Sequence, residues 1–297
     1  MPKTLIVILG PTAVGKTDIS LSLAKKINTE IISCDSRQFY RELNIGTAKP
    51  SENQLNEVKH HFIGHISIHD YYNVSKFEIE ALKKINELFK ISDYAIMVGG
   101  SGLYIDAVCQ GIDDLPEIDK SLREQILERF EKEGIESLRI ELKRLDPEYY
   151  AIVDLKNKNR MLRAVETTLQ TGKPFSSFRT STKFKRDFNI IKIGLNFDRD
   201  VLYNKINLRV DLMVENGLVE EAKEFFKNKN LNALNTVGYK ELFGYFENDY
   251  TLEKAIELIK RNSRHYAKKQ LTWFGRYNDI NWFNPNDFDE ILRFLKL

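Results

Sequence analysis

The chain is poor in cysteine and has no long apolar run, and each absence excludes a class of protein. Its 297 residues contain two cysteines, Cys34 and Cys109, too few for a disulfide framework or a cysteine-rich zinc site. No apolar run approaches the roughly 20 residues that cross a bilayer, and the first residues resemble a strand and not a signal peptide. We therefore expect a protein of the reducing cytoplasm without a membrane partner.

Histidine is also scarce, and its arrangement is a weak metal signature. Three of the five histidines, His60, His61 and His65, lie close together in the sequence. Without nearby cysteine this spacing is not typical of a zinc site. We interpret these histidines as structural or loop residues.

The net charge of +2 conceals an uneven distribution. Residues 113–148 hold 12 acidic and 7 basic residues, whereas residues 156–186 hold 9 basic residues and one acidic residue. Residues 256–277 add a second basic segment, with 6 basic residues and one acidic residue. Either segment alone could be a solvated helix face, but two of them indicate a polyanion larger than a nucleotide.

The most informative motif is a phosphate-binding loop near the N-terminus. It lies between an apolar run and a helical pattern and consists of Gly10, Pro11, Thr12, Ala13, Val14, Gly15, Lys16 and Thr17. Such a loop curls backbone N–H groups around phosphate oxygens, and the following helix adds its partial positive charge. Lys16 supplies an ammonium, and the Thr17 hydroxyl can ligate Mg²⁺. A chance glycine-rich turn is the alternative, which the complete motif in this context disfavours.

Strand and helix signals alternate through the first hundred residues. Strand patterns occur at Leu5–Leu9, Glu30–Ser33 and Tyr94–Val98, and helical patterns at Thr17–Ile27 and Ser75–Ile91. The alternation predicts a P-loop NTPase-like α/β fold, with a parallel sheet flanked by helices on both faces. Ligands of such sheets bind at the carboxyl ends of the strands.

Two of these strand ends carry further candidate residues. Asp35 follows the second strand and could be a Mg²⁺ ligand, a general base or a turn residue, and its position alone does not decide between them. The third strand ends in Gly99-Gly100-Ser101-Gly102, with no carboxylate before Asp106. Since a phosphoryl-transfer enzyme places a metal-binding carboxylate there, the sequence favours a reaction that binds and releases diphosphate.

A helical block interrupts this pattern. Helical signals at Lys120–Glu133, Glu136–Leu145 and near Arg160–Gln170 precede a strand pattern at Asn189–Phe197. We predict a P-loop core from residues 1–115 and 186–297 and an inserted all-helical domain from residues 116–185. Only helices are expected after the last strand pattern.

Eight segments in order resemble those of one known family. They are Gly10–Thr17, Asp35–Gln38, Ile45–Pro50, His60-His61, Gly99–Tyr104, Asn159–Ala164, Val237–Lys240 and Lys269–Phe274. Their succession closely resembles the tRNA dimethylallyltransferases, also called tRNA isopentenyltransferases, over roughly the whole chain. The phosphate loop is common to many families, whereas Gly-Thr-Ala-Lys-Pro and Gln-Leu-Thr-Trp-Phe are far more specific.

The resemblance implies a prenyl transfer. A dimethylallyl group would pass from dimethylallyl diphosphate to N6 of adenosine-37, 3′ of the anticodon, in tRNAs that read codons starting with U. Lys16, Thr17 with Mg²⁺, and Arg209 would stabilise the departing diphosphate. Asp35 would act on the adenine amine, and Ser101, where the family commonly has Thr, would orient diphosphate or base.

The resemblance also implies a set of contacts with the tRNA anticodon stem-loop and action as a monomer. Because the target adenine must leave its stack, the segment after the second strand would contact the extruded nucleotide. The inserted domain, residues 116–185, would also bind tRNA. Without the family, Arg209 would be read as a surface cation. Core packing is the alternative for both Trp273 and Phe274, and it is favoured for Phe274. The implied contacts are Asp35, Ser36, Arg37, Gln38, Arg123, Asn159, Arg160, Met161, Leu162, Arg163, Asn235, Thr236, Val237, Gly238, Tyr239, Lys240, Lys268, Lys269, Gln270, Leu271, Thr272, Trp273, Phe274 and Gly275.

Two other functions stay open at this stage. One is a phosphate-loop kinase, which the missing carboxylate at the third strand disfavours. The other is an RNA-binding protein without activity that keeps a nucleotide pocket, which the intact Lys16, Thr17 and Asp35 disfavour.

Overall fold

The computed structural model of the chain describes residues 2–113, 115–117, 119–180 and 184–297. The chain forms two compact units, one of residues 1–110 and 185–297 and a second of residues 111–184. The boundaries drawn above from sequence were 116 and 185. The first unit contains the sheet, and the second is helical.

A six-stranded parallel sheet forms the centre of the first unit, which confirms the predicted fold class. Its strand order is β3-β2-β4-β1-β5-β6. The strands are β1 (Thr4–Leu9), β2 (Ile31–Ser33), β3 (His60–His61), β4 (Tyr94–Gly99), β5 (Asn189–Leu195) and β6 (Ile280–Phe283).

Helices of the first unit flank this sheet and continue beyond it. They are α1 (Lys16–Ile27), α2 (Glu52–Glu57), α3 (Val74–Leu88), α4 (Gly102–Gln110), α9 (Arg199–Glu215), α10 (Leu218–Glu224), α11 (Tyr239–Phe246), α12 (Leu252–Phe274) and α13 (Phe288–Leu295). The second unit holds α5 (Lys120–Glu133), α6 (Ile135–Leu145), α7 (Pro147–Ile152) and α8 (Lys158–Thr171). Among the described residues, no helix has both the length and the hydrophobicity needed to cross a membrane.

Strand β1 shows why the sheet is covered on both faces. All six of its side chains are buried. Leu5, Val7 and Leu9 pack with α3 and α4, whereas Ile6 and Ile8 pack with α1 and α9. Side chains alternate between the faces of a strand, so a strand buried at every position requires helices on each side.

The helical continuation has a core of its own. Residues of α9 to α12 pack there with Tyr40 and Leu43, which follow β2. Tyr239 lies at the centre of this cluster and is fully buried. The packing thereby fixes the C-terminal helices next to the carboxyl end of the sheet.

The second unit also has an independent core. Its core includes the buried apolar side chains of Ile126, Leu138, Leu142, Met161 and Leu162, which come from α5, α6 and α8. Each fully buried aliphatic side chain contributes about 1.5–3 kcal/mol. Burial of this kind accounts for a stable helical bundle.

The prediction that only helices follow β5 is wrong. Residues Ile280–Phe283 form β6, which pairs in parallel with β5 at the edge of the sheet. A run of four residues is too short for periodicity to identify, and the pairing partner lies more than 80 residues earlier. The strand therefore depends on tertiary pairing.

The two adjacent histidines, His60 and His61, also form a short strand, and the Nε2 atom of His61 lies 2.5 Å from the Glu30 carboxylate.

Candidate active site

The phosphate-binding loop joins β1 to α1 and borders a cavity of about 520 Å³. Gly15 takes a left-handed conformation with φ of 90°, which glycine adopts without strain. Ala13 is also left-handed, with φ of 64°. Such strain in a non-glycine residue is concentrated at functional sites. The first amides of α1 have no partner within the helix and are available to an anion.

Lys16 is a cation that lines this cavity. Its Nζ donates to the carbonyls of Gly10 (3.1 Å) and Pro11 (2.8 Å). Burial lowers the pKa of Lys16 to about 8, while the negative charge of Asp35 opposes that shift and the positive charge of Arg209 adds to it. Desolvation of this ammonium leaves it ready to accept an anionic partner.

Arg209 supplies a second cation from α9. Its Nη1 donates to the hydroxyl of Thr12 in the phosphate loop at 3.1 Å. Burial lowers the pKa of this guanidinium, and Asp35 opposes the shift. From its own segment Arg209 looked like a surface residue, but the fold brings it to the loop from almost 200 positions away.

Asp35 follows β2 and borders the same cavity. Its Oδ1 accepts a hydrogen bond from the backbone N–H of Arg37 at 3.0 Å. The carboxylate thus stabilises a turn while facing the cavity that Lys16 and Arg209 also border. Asp35 is therefore a turn residue that also borders the cavity, so a role in the turn does not exclude a role in the site.

Ser101 lies beside this turn. Its hydroxyl accepts from the backbone N–H of Ser36 and donates to the Ser36 hydroxyl, both at 3.1 Å. Tyr266 of α12 lines the same cavity as Asp35. Desolvation, followed by the charge of Asp35, raises the pKa of Tyr266. A group of hydroxyls therefore adjoins the carboxylate.

Gln270 connects the phosphate loop to the end of β4. Its Oε1 accepts from the N–H of Thr12 at 2.9 Å, and its Nε2 donates to the carbonyl of Gly100 at 3.0 Å. A Cβ on Gly100 would lie 2.2 Å from that Nε2, so only glycine allows this approach. Gln270 is buried, and its position indicates a support for the loop.

A smaller cavity of about 100 Å³ adjoins the first and shares Thr12, Asp35 and Arg209 with it. Its remaining wall is largely apolar. The apolar side chains are Ile206, Val210, Met213, Leu218, Val237 and Ile259. The carboxylate and the guanidinium therefore lie between a polar and an apolar compartment.

Arg37 brings two of the predicted RNA-contacting segments together. Its guanidinium donates to the carbonyls of Asn232 (2.7 Å) and Asn235 (3.1 Å). Asn235 and Lys240 are exposed. Tyr239 is buried, so its side chain is unavailable to RNA and the prediction of a tRNA contact there is corrected. The segment from Asn235 to Lys240 therefore lies beside the turn that holds Asp35, with Thr236, Val237 and Gly238 lining the small cavity.

The predicted RNA-contacting residues at the end of α12 differ in accessibility. Lys268, Lys269 and Thr272 are exposed, while Leu271 is half-buried. The Trp273 indole donates to Asp106 at 3.1 Å, and the Arg276 guanidinium stacks 3.9 Å from the Trp273 ring.

Phe274 is 1% exposed and packs in the core. Its side chain cannot contact RNA without unfolding the end of the helix, so its place among the expected contacts is corrected here. Gly275 follows it as the exposed cap.

The second unit carries the remaining predicted contacts. Asn159 and Arg160 are exposed in the first turn of α8, but Met161 and Leu162 are core residues. The side chains of the latter two are therefore also unavailable to RNA. Arg163 donates to the carbonyl of Pro116 at 2.6 Å.

Arg123 forms an ion pair with Glu166 at 3.2 Å. Burial raises the pKa of Glu166, and the two neighbouring arginines oppose the shift. Arg123 therefore has a structural partner within its own unit.

Mg²⁺ fits this site only as an ion shared with a bound phosphate. The described residues contain no group of three or more His, Cys, Asp or Glu side chains that could hold a metal ion. Thr17 lines the large cavity close to Lys16 and Asp35. Mg²⁺ commonly binds through a few protein oxygens, waters and substrate phosphates, and this donor set is compatible with that mode.

Sequence reasoning missed three residues that shape the site. Lys49 and Lys205 line the large cavity, and burial lowers the pKa of Lys49 to about 8. Glu221 of α10 accepts hydrogen bonds from three consecutive backbone amides of residues 44–46. The Gly-Thr-Ala-Lys-Pro motif was the available signal for Lys49, but nothing local identified Glu221.

The protein is a P-loop-like α/β protein. Its site combines a phosphate loop, two cations and a carboxylate beside an apolar compartment, and this arrangement is suited to a phosphorylated ligand. The IPP transferase family model matches residues 38–277. The chain belongs to this family of enzymes.

Individual relatives match over nearly the full length. The tRNA dimethylallyltransferase 1 of Phocaeicola vulgatus is 51% identical over 99% of this chain and 98% of its own length. The full-length tRNA isopentenylpyrophosphate transferase structure from Bacillus halodurans has 37% identity and a TM-score of 0.72, covering 99% of this chain and 96% of that one. A eukaryotic dimethylallyltransferase acting on tRNA has 25% identity and a TM-score of 0.81, covering 98% and 76%.

Proposed function

We propose that the protein transfers a dimethylallyl group from dimethylallyl diphosphate to N6 of adenosine-37 in tRNAs that read codons starting with U. One observation carries this proposal. The Asp35 carboxylate borders both the phosphate-loop cavity and the adjoining apolar cavity. A base at that junction is suited to a reaction between an allylic diphosphate and an amine.

The phosphate loop would bind the diphosphate. Amides at the start of α1, Lys16 and Arg209 would neutralise the charge that develops as the bond between C1 and the diphosphate oxygen breaks. The Thr17 hydroxyl would hold Mg²⁺, and the ion when bound would supply additional electrostatic stabilisation to the leaving group. These groups are fixed before the reaction, so little reorganisation is needed in the transition state.

Asp35 would accept a proton from the N6 amine as N6 forms its bond to C1. The amine loses one proton, the diphosphate leaves with the electron pair of the broken bond, and the prenylated adenine remains neutral. The hydrogen bond from the Arg37 N–H would hold the Asp35 carboxylate in position. Ser101 would orient one of the substrates through its hydroxyl.

The tRNA would be bound by exposed cationic and polar residues within each unit. Candidates in the first unit are Lys240, Lys268, Lys269 and Thr272, and those in the second are Asn159 and Arg160. Cations contact the phosphate backbone, and nearby rings can stack on extruded bases. Action as a monomer in the cytoplasm stays a prediction.

A kinase activity is the alternative that the end of β4 disfavours. That strand is followed by Gly100 and Ser101, and the next carboxylate, Asp106, accepts hydrogen bonds from Trp273 and Tyr277. Asp106 is therefore engaged elsewhere and not available as a metal ligand beside the phosphate loop.

The test is nucleoside mass spectrometry of unmodified tRNA incubated with the protein, Mg²⁺ and dimethylallyl diphosphate, in parallel reactions without and with ATP. We expect N6-dimethylallyladenosine from the wild type and a loss of about 10²–10⁴-fold in kcat for Asp35→Ala, the usual contribution of a general base. The exposed Asp249→Asn serves as the matched control. Robust transfer by Asp35→Ala would remove Asp35 from the role of base, and an ATP-dependent product would favour the kinase.

A further inference from the structure

Glu221 is the anchor of a loop that borders both cavities. Its Oε2 accepts from the N–H groups of Asn44 and Ile45, each at 2.9 Å. Its Oε1 accepts from the N–H of Gly46 at 2.8 Å and from the Tyr239 hydroxyl at 2.6 Å. One half-buried carboxylate therefore receives four hydrogen bonds, and such charge-assisted bonds are stronger than neutral ones.

The loop that Glu221 holds consists of residues 44–50, and its backbone is strained at one residue. Ala48 is left-handed, with φ of 46°. A non-glycine residue in this region costs about 1–3 kcal/mol and persists only where its surroundings fix it. Gly46 lies against the ring of Tyr239, whose Cε2 would be 2.6 Å from a Cβ at that position. The anchor and the tyrosine together determine where the loop lies.

Residues at the far end of this loop face the proposed diphosphate site. Ala48, Lys49 and Pro50 line the large cavity, and Gly46 and Thr47 line the small one. The Gln38 side chain, three residues after Asp35, donates to the carbonyls of Thr47 (3.2 Å) and Ala48 (3.0 Å). A shift of the loop would therefore displace both Lys49 and Gln38.

The charge of Glu221 also affects Lys49. Burial lowers the pKa of Lys49, and the Glu221 carboxylate is the main opposing influence, followed by Glu42. Loss of the Glu221 charge would thus reduce the protonated fraction of an ammonium that borders the cavity.

We propose that Glu221 is a positioning residue for the donor substrate, which fixes residues 44–50, and with them Lys49 and Gln38, at the wall of the cavity that would bind the diphosphate. The inference rests on the proposed function for the identity of the donor. It assigns Glu221 no contact with either substrate. It also gives a role to the Gly-Thr-Ala-Lys-Pro motif.

The test compares Glu221→Gln, Tyr239→Phe and Glu224→Gln, the last an exposed carboxylate on the same helix. Titration calorimetry with inorganic diphosphate and Mg²⁺ gives the Kd, and steady-state kinetics give separate KM values for dimethylallyl diphosphate and tRNA. We expect the diphosphate Kd to rise about tenfold for Glu221→Gln, comparable to the loss of one hydrogen bond. Tyr239→Phe should raise it about threefold and Glu224→Gln less than twofold. The KM for tRNA should change less than twofold in all three.

An unchanged diphosphate Kd for Glu221→Gln would overturn the inference, as would an equal rise in both KM values, which indicates general structural damage. If Glu221→Gln does not fold by circular dichroism, Tyr239→Phe decides, because it removes one of the four bonds and keeps the ring against Gly46. The proposed function fails separately, if the wild type prenylates no tRNA, since the calorimetric series requires no transfer.

Discussion

Binding of diphosphate should weaken as the pH rises through about 8, because Lys16 then loses its proton. The pKa of Lys16 is lowered to about 8 by burial, against a usual value of 10.5. The neighbouring charges are Asp35, which favours the ammonium, and Arg209, which disfavours it. The charged form of Lys16 binds the anion, so the Kd for diphosphate is constant at pH values below this pKa. Above it the Kd rises with pH, and it levels off once the pH passes the higher pKa that Lys16 has in the complex.

The magnitude follows from the protonated fraction. At pH 7 about nine-tenths of the lysine is charged, and at pH 9 about one-tenth, so the Kd should rise roughly tenfold between them. Lys49, whose pKa is also about 8, would make the dependence steeper if it binds the same anion. The assay is titration calorimetry with inorganic diphosphate and Mg²⁺ from pH 6.5 to 9.5.

A control is needed because diphosphate itself titrates in this range. Lys16→Arg keeps a charge that does not titrate, so the ratio of wild-type to variant Kd at each pH removes the contribution of the ligand. A ratio that stays constant from pH 7 to 9 would refute the assignment of Lys16 as a titrating diphosphate ligand.

Two further substitutions test whether side chains from distant helices take part in forming the site. Arg209→Gln should raise the diphosphate Kd about 10–100-fold, since a charge-assisted bond contributes about 1.5–3 kcal/mol, and calorimetry checks it; a change below twofold would contradict this. Gln270→Met should lower the free energy of unfolding in urea by about 2–4 kcal/mol, because it leaves the Thr12 N–H and the Gly100 carbonyl unpaired. The exposed Thr272→Val is its control and should change stability by less than about 0.5 kcal/mol. A large loss of tRNA affinity with unchanged stability would instead make Gln270 an RNA contact.

Local sequence patterns were sufficient to predict the strands and helices whose formation depends on residues close in sequence. The strand β1, the loop after it and α1 were predictable because alternation, glycine spacing and helical periodicity are properties of a short window. The helices α5, α6 and α8 of the second unit were predictable for the same reason, whereas the six-residue α7 was not predicted. The strand β6 was not, because four residues carry too little periodicity and depend on β5 for their hydrogen bonds.

The site shows the same division. Asp35 and Lys16 could be placed from strand ends alone, since parallel strands end at the same edge of a sheet. Arg209 required the family resemblance, because its own helix gives no sign that it reaches Thr12. Gln270 and Phe274 were predicted as RNA contacts, yet one supports the phosphate loop and the other packs in the core.

The sequence by itself determined the chemistry of the phosphate loop, the parallel sheet and the family, since each depends on motifs of a few consecutive residues. Only the tertiary structure decided which distant side chains complete the site. Arg209, Gln270 and Glu221 act through hydrogen bonds to residues more than 170 positions away. Such contacts are made by packing of the helices against the sheet, and no local pattern encodes them.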